Sequence, residues 1–328
     1  MKRTINRMGT LLLATAAAAA LLPTAAVAQD YPSRAIKIIV PAPPGGSTDV
    51  MTRVLAKVMG EQNNVPVVVE NRAGAAGSIG VQSVIAAPPD GYTLVMSAAD
   101  ATTIFPMMKK VPPYRVDQNL TALAQIAYTD FLFAVPANSP YTTLRDLLEA
   151  SKTKKMAYSS NGHGSGNHLW MELFLAKTGY NKVLHVPYKG AAPAVQGLLA
   201  GETDLMITSP ASGRAMFEAG RMKPLVTSSP TRLASYPNVP TFAQAGFPAL
   251  VMGAWFGVFG PAGMSPALAD KLHTMLVNAT TSAEYQKQAG VFSFNTQPVS
   301  RAAFAKLVLD DAVLLKAAID AAQIPLED

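Results

Sequence analysis

The sequence predicts an α/β protein of two lobes, each built on a parallel-rich sheet flanked by helices, with a ligand cleft between the lobes. Three observations carry this prediction. Short apolar, β-branched runs alternate with segments of helical period along most of the chain. Glycine-rich stretches follow the strand-like runs and precede the helical ones, and the interval from Gly46 to Gly74 is matched by that from Gly162 to Gly190. Even without residues 1–28, the chain of 328 residues exceeds what one hydrophobic core usually serves, ~250–300 residues.

Residues 1–28 read as a secretory signal peptide. Lys2, Arg3 and Arg7 form a basic start, an Ala- and Leu-rich run follows, and Ala26-Val27-Ala28 is an A-x-A cleavage site. A membrane anchor is the alternative, against which Pro23 and the small-residue cleavage site both weigh. The leader predicts export to the periplasm.

The first lobe is expected over 29–130 plus 253–328. AIKIIVP is a strand. STDVMTRVLAKVMGEQ is a helix with Val50, Val54 and Val58 on one face, and Ser47 or Thr48 is placed to cap it. VPVVVEN, GSIGVQSVIAAPP and YTLVMSA continue as strand, helix and strand. Apolar strands joined by helices predict parallel pairing with both faces covered. The second lobe, 131–252, repeats the order. MAYSS is a strand, NGHGSGN a loop, and HLWMELFLAKTG a helix closed by Gly179. VLHVPY, KGAAPAVQGLLAGE and TDLMITS follow as strand, loop with helix, and strand. FLFAVPANSPYTTLRDLL and FGVFGPAGMSPALADKL are matching strand–loop–helix segments where the chain leaves the first lobe and returns to it. The final helices, within 265–279 and 300–322, are expected to pack back on the first lobe.

Composition narrows the function. There is no cysteine, so stability in an exported protein must come from the core rather than from disulfides. Half of the formal charge of +6 sits on Lys2, Arg3 and Arg7, and no basic run is interleaved with aromatics, which excludes a nucleic-acid partner.

The glycine loops suggest the chemistry. Ligands of open parallel sheets bind at the carboxyl ends of the strands, where these loops lie. A helix N-terminus there presents unpaired N–H groups and a positive dipole end, and glycine lets a ligand approach them. Four such loops facing one cleft suit a carboxylate or another small anion. A phosphate loop is not supported: GxxxxGK[ST] is absent, and Gly74, Gly77 and Gly80 do not make a dinucleotide fingerprint. Tight turns are the plain alternative for any one loop.

VPAPPGGSTDVMTRVLA, VVVENRAGAAGSIG and PPDGYTLVMS, followed by SSNGHGSGNHLWMELF, HVPYKGAAPAVQGLLAGETDLMI and YPNVPTFAQAGFP, resemble in order the Bug receptors. These are the extracytoplasmic solute-binding proteins of tripartite tricarboxylate transporters. The resemblance implies a two-lobed periplasmic-binding-protein fold of type II-like architecture that closes on a small carboxylate. It implies no enzymatic activity, no cofactor and no metal, with membrane permease subunits as partners of a monomer. First-lobe contacts implied by it are Gly45, Gly46, Ser47, Thr48 and Asp49, then Ala75, Ala76 and Gly77, with Ser97 at a strand end. Second-lobe contacts are Ser159, Asn161, His163, Gly164 and Tyr188, with Asp204 at the next strand. Asp49 is unusual near an anion and is expected either to accept from loop amides or to act as a first-turn acid. Ala42 stands where the family often has phenylalanine, which would enlarge the cleft. With no arginine in the glycine loops, a mono- or dicarboxylate, with or without an aromatic ring, suits the site better than citrate.

Other residues admit second readings. His163 and His168 miss the i,i+4 metal spacing and lack an evident third ligand; His185 reads as structural. Lys189 is a solvated loop residue or an anion contact. Trp255 and Phe256 read as core or hinge packing, or as an aromatic ligand's wall. Ala76-Gly77-Ser78-Ile79-Gly80 approximates a hydrolase elbow, so an esterase using Ser78 is an alternative function. A ligand sensor for a membrane kinase is another that the same fold would serve.

Overall fold

The computed structural model describes residues 31–180, 182–247, 252–321 and 323–328. The leader predicted over 1–28 lies outside the described residues. Among the described residues no helix is long and apolar enough to cross a membrane.

Two five-stranded sheets form the frame. The first runs β2 (Val67–Asn71), β1 (Ile36–Val40), β3 (Thr93–Ala98), β10 (Gly253–Pro261), β4 (Leu120–Asp130). The second runs β7 (Val183–Pro187), β6 (Met156–Ser160), β8 (Leu205–Thr208), β5 (Leu132–Pro136), β9 (Met222–Thr227). In each, three parallel strands come first: β1 pairs with β2 and β3, and β6 with β7 and β8. An antiparallel strand follows, β10 beside β3 and β5 beside β8. The edge strand, β4 or β9, is antiparallel to that one. The like topology expected from the equal glycine intervals is present strand by strand.

The sheets are parallel-rich as expected, and the connections explain their antiparallel members. Parallel neighbours need a crossover, supplied by α1 (Ser47–Asn63) and α2 (Ser78–Ile85) in the first sheet. In the second, α4 (Gly166–Thr178) and α5 (Ala191–Ala200) do this. The chain instead passes from β4 to β5 through Phe131 alone, and it returns from β9 to β10 over residues 228–252 with no helix among the described residues. Each sheet therefore borrows its fourth strand from the other end of a crossing. Ser228 ties the two crossings together. Its Oγ accepts from Phe131 N–H at 2.8 Å and donates to Met252 O at 2.5 Å.

The helix ends follow their signals, with one exception. Gly179 closes α4 in the left-handed conformation (φ 79°). Thr143 caps α3 (Leu144–Ala150), Ser209 caps α6 (Pro210–Glu218), Ser265 caps α7 (Pro266–Thr280) and Ser282 caps α8 (Ala283–Val291), each through its side chain. The exception is α1, whose N-cap is Gly46 with no side-chain cap; Ser47 and Thr48 are already inside the helix.

The last helix, α9 (Arg301–Ala321), differs from its expected place. Phe304 and Val308 join the first sheet's core beside Trp255 and Phe259. Leu315, Ala318 and Ile319 join the second core, with Trp170 and Phe174. At ~1.5 Å per residue the helix is about 30 Å long, enough to reach both. Its sequence offers apolar residues at both ends, and only the packing shows that they serve different cores.

Candidate ligand-binding cleft

A cavity of ≈ 490 Å³ opens between the two sheets. Ser47, Asp100, Thr129 and Phe256 reach it from elements around the first sheet, and Asn161, Ser165, Asn167 and Thr208 from the second. A second cavity of ≈ 530 Å³ adjoins it and shares Asp100, Ile104, Asn161 and Ser165.

The expected contacts divide into those the fold brings to these cavities and those it does not. Ser47 and Asn161 line the first one. Ala75, Ala76, Asn161, His163 and Gly164 line the second. Gly45, Gly46, Thr48 and Asp49 line neither. Asp49 is buried (3 % exposed), and its Oδ2 accepts from Gly45 N–H at 2.9 Å, its Oδ1 from Asn71 Nδ2 at 2.9 Å. Arg53 pairs with it at 2.9 Å. Burial opposes the charge, but the bonds from Arg53, Gly45 and Asn71 outweigh it and hold the carboxyl below its ordinary range. Asp49 thus fills both roles weighed for it, loop-amide acceptor and first-turn acid of α1.

Gly77 is close packing rather than ligand approach: a Cβ there would lie 2.8 Å from Ala101 Cβ and 2.9 Å from Pro41 O. Ser97 is buried, with its Oγ on Ala98 O. Ser159 is buried with its hydroxyl unpartnered and lines neither cavity. Tyr188 turns its hydroxyl to Glu202 at 2.6 Å. Asp204 precedes β8 at its amino end, where Oδ2 accepts from Ala157 N–H at 2.9 Å. Parallel strands present ligands at their carboxyl ends, and Asp204 lies at the opposite end of β8, outside both cavities. Thr208, Ser209 and Ser212 occupy the cavity wall instead.

Several loop amides are already engaged within the protein. Besides Gly45, Gly164 N–H donates to His168 Nδ1 at 3.0 Å, Gly162 N–H to Ser160 Oγ at 3.2 Å and Gly190 N–H to Asn161 O at 3.0 Å. The amides left without helical partners lie one step into the helices. In α1 the first helical bond is Val50 N–H to Gly46 O, which leaves Ser47, Thr48 and Asp49 N–H. In α5 it is Ala194 N–H to Gly190 O, which leaves Ala191 and Ala192. Ser47 and Ala191 both line the first cavity.

Sequence reasoning missed Asp100, which lines both cavities, and Phe292 and Phe294, which join Phe131, Trp170 and Phe256 as its aromatic wall. Phe256 and Phe294 rings are 4.9 Å apart. Trp255, one residue away, is fully buried and donates Nε1–H to Asp311 at 2.8 Å, so the two adjacent aromatics split between core and cleft. The Asp100 signal was present only as a charge just beyond a strand's carboxyl end. Lys189 is exposed and outside both cavities.

The third imidazole absent from the local spacing is His185. The ligating atoms of His163, His168 and His185 lie within 4.8 Å of one another. The His168 and His185 rings are stacked, 3.7 Å apart and 11° from parallel. His168 Nδ1 is taken by Gly164, and His185 Nε2 lies 2.6 Å from Ser160 Oγ. His168 and His185 are thus a stacked pair, and His163 is exposed and tilted by 37° and 30° to them. Ser78, the candidate nucleophile, is buried; its Oγ accepts from Gln82 Nε2 at 2.7 Å, and it lines neither cavity.

A family model described as tripartite tricarboxylate transporter family receptor matches residues 51–324. The chain is similar to Protein BugT of Bordetella pertussis, 35% identical over 274 residues and covering 82% of each. Among solved structures, a periplasmic transporter is 32% identical with TM-score 0.74, covering 90% of this chain and 100% of that one. Rpa4515 of R. palustris, solved with adipate, is 26% identical with TM-score 0.75, covering 90% and 99%.

Proposed function

The chain belongs to the tripartite tricarboxylate transporter receptor family, and on that premise we propose that it captures a small organic carboxylate in the periplasm, without turnover, and delivers it as a monomer to membrane permease subunits. The lobes are 29–130 with 253–328, and 131–252, with the end of α9 packed on the second lobe's core. They close on the ligand about the paired crossings beside Ser228.

One observation carries the reading. The first cavity lies between the two sheets, is reached by the first turns of α1, α4, α5 and α6, and has no lysine, arginine or histidine in its wall. Unpaired amides and hydroxyls are therefore the groups available to a carboxylate. The wall of Phe131, Trp170, Phe256, Phe292 and Phe294 suits an apolar or aromatic body. Adipate, bound by the relative from R. palustris, is a carboxylate with an apolar chain and supports a guest of that kind. A tricarboxylate would bring three charges to a wall without a cation.

Thermal-shift measurement against succinate, adipate, citrate, benzoate and terephthalate tests this. At a hundredfold excess over Kd a ligand stabilises the fold by about 2.7 kcal/mol, a rise of several degrees in Tm. Citrate is expected to give the least. A panel that leaves Tm unmoved overturns the carboxylate assignment.

A further inference from the structure

Asp100 is the one charged side chain in the wall of the first cavity, and it reaches the adjoining cavity too. It opens a π-helical stretch, Asp100–Ile104, directly beyond β3. Such stretches are rare and recur at functional sites. Its recorded partner is Gly166 N–H, the first amide of α4, at a long 3.3 Å. No ion pair to Asp100 is recorded among the described residues. Lys109, the lysine of the adjoining cavity, is already engaged by Glu327 at 3.1 Å and by Asp328 O at 2.8 Å.

Two consequences follow for a guest. The N-terminus of α4, which would otherwise favour a ligand carboxylate, already faces the protein's own carboxylate. A second negative charge brought near Asp100 meets repulsion with no cation in the wall to offset it. A positively charged nitrogen there would instead complete the site, with aromatic faces beside it that also favour cations.

We propose that Asp100 is the specificity-determining residue of the cleft, and that the ligand is a zwitterion: a carboxylate held at the first turns of α1 and α5, carrying a cationic nitrogen that Asp100 receives and an apolar or aromatic body against the phenylalanine wall. This rests on the carboxylate reading above and narrows it. The Asp100 side chain is exposed to the open cleft, and the protein packed behind it disfavours its charge and pushes its carboxyl upward. A cationic guest favours the ionised form, so binding tightens as pH rises through the range in which Asp100 of the free protein gives up its proton. A plain carboxylate favours the protonated form and weakens as pH rises.

Matched pairs that differ only by the ammonium group decide between these: phenylalanine against 3-phenylpropionate, and 2-aminoadipate against adipate. Affinities are measured by calorimetry from pH 5.5 to 8 on the wild-type protein and on Asp100→Asn. The amino member of at least one pair should bind tenfold or more tightly than its partner. Its affinity should rise with pH and fall at least tenfold in D100N, with the slope flattened. A slope that survives in D100N belongs to His163, Lys109 or Glu327 of the adjoining cavity and overturns the assignment. So does tighter binding of the plain members with D100N unchanged, which leaves the carboxylate reading standing. No binding by any of the four overturns both. The wild-type pairs and their pH slope need no variant, so the test holds if D100N does not fold.

Discussion

The first glycine loop of each sheet is tied down by a side chain four residues further on, and the two side chains are chemically opposite. In the first sheet Gly45 N–H meets the Asp49 carboxylate. In the second, Gly164 N–H meets the His168 imidazole. Both turn a loop amide inward, which the glycine pattern alone does not reveal. They differ in charge. Asp49 is held ionised by Arg53, Asn71 and the loop amide. His168 and His185 are held neutral, pushed down to about 3 and about 4, by burial first and then by the neighbouring imidazoles. The same local device thus responds to acid in two separate windows.

The largest expected effect tests that separation. Unfolded histidine titrates near 6.5, so below that pH the unfolded chain binds protons that the folded stack refuses. Stability then falls as pH drops from about 6.5 toward 4, by on the order of 3 kcal/mol. Asp49 contributes nothing to this fall. Its depressed pKa gives stability that is present above the unfolded carboxylate range and is lost only as pH drops below it. Denaturant unfolding at pH 7, 5.5 and 4.5 measures the slope, and His168→Gln with His185→Gln should flatten it. A wild-type curve level between pH 6.5 and 4.5 would break the comparison.

The second effect is on the first loop. Asp49→Ala leaves Gly45 N–H and the Asn71 amide without their acceptor in a partly buried setting. The expected loss is about 2–3 kcal/mol at pH 7, read as a lower urea midpoint at unchanged slope. Asp49→Asn should recover part of it by keeping one acceptor. A loss confined to ligand affinity, with stability intact, would instead make Asp49 a ligand contact.

The element types were legible because periodicity is local. Ile36 to Val40 read as a strand, the run from Ser47 as a helix, and Gly179 as a stop, and each stands so in the fold. Placement was less legible, because distant pairing decides it. Nothing in GAWFGVFGP says that β10 enters antiparallel between β3 and β4. The site was legible as a region. Ser47, Ala75, Ala76, Asn161, His163 and Gly164 do reach the cavities. Asp204 was assigned through a resemblance, whereas the strand-end rule applied to TDLMITS points to Thr208 and Ser209. Phe292 and Phe294 lie far along the chain from every glycine loop, and only the return of the chain through α7 and α8 brings them to the cleft.

The smallest effect compares the glycines themselves. Gly46 has φ −73° and nothing within 4 Å of an added Cβ. Gly164 has φ +72°, and an added Cβ would lie 3.0 Å from Met108 Cε and 3.3 Å from its Sδ. A methyl group at Gly46 therefore meets ordinary backbone and open space, so Gly46→Ala should change stability by less than about 0.5 kcal/mol. At Gly164 the left-handed conformation penalises any side chain, and Met108 must give way at its flexible end, so Gly164→Ala should cost about 1–2 kcal/mol. Thermal unfolding of the two variants side by side reads the difference. If both lose the same stability, the glycine in the second loop is not there for its backbone angle. If Gly46→Ala keeps stability but loses ligand, the open side of the first loop is where the guest approaches the Ser47 amide.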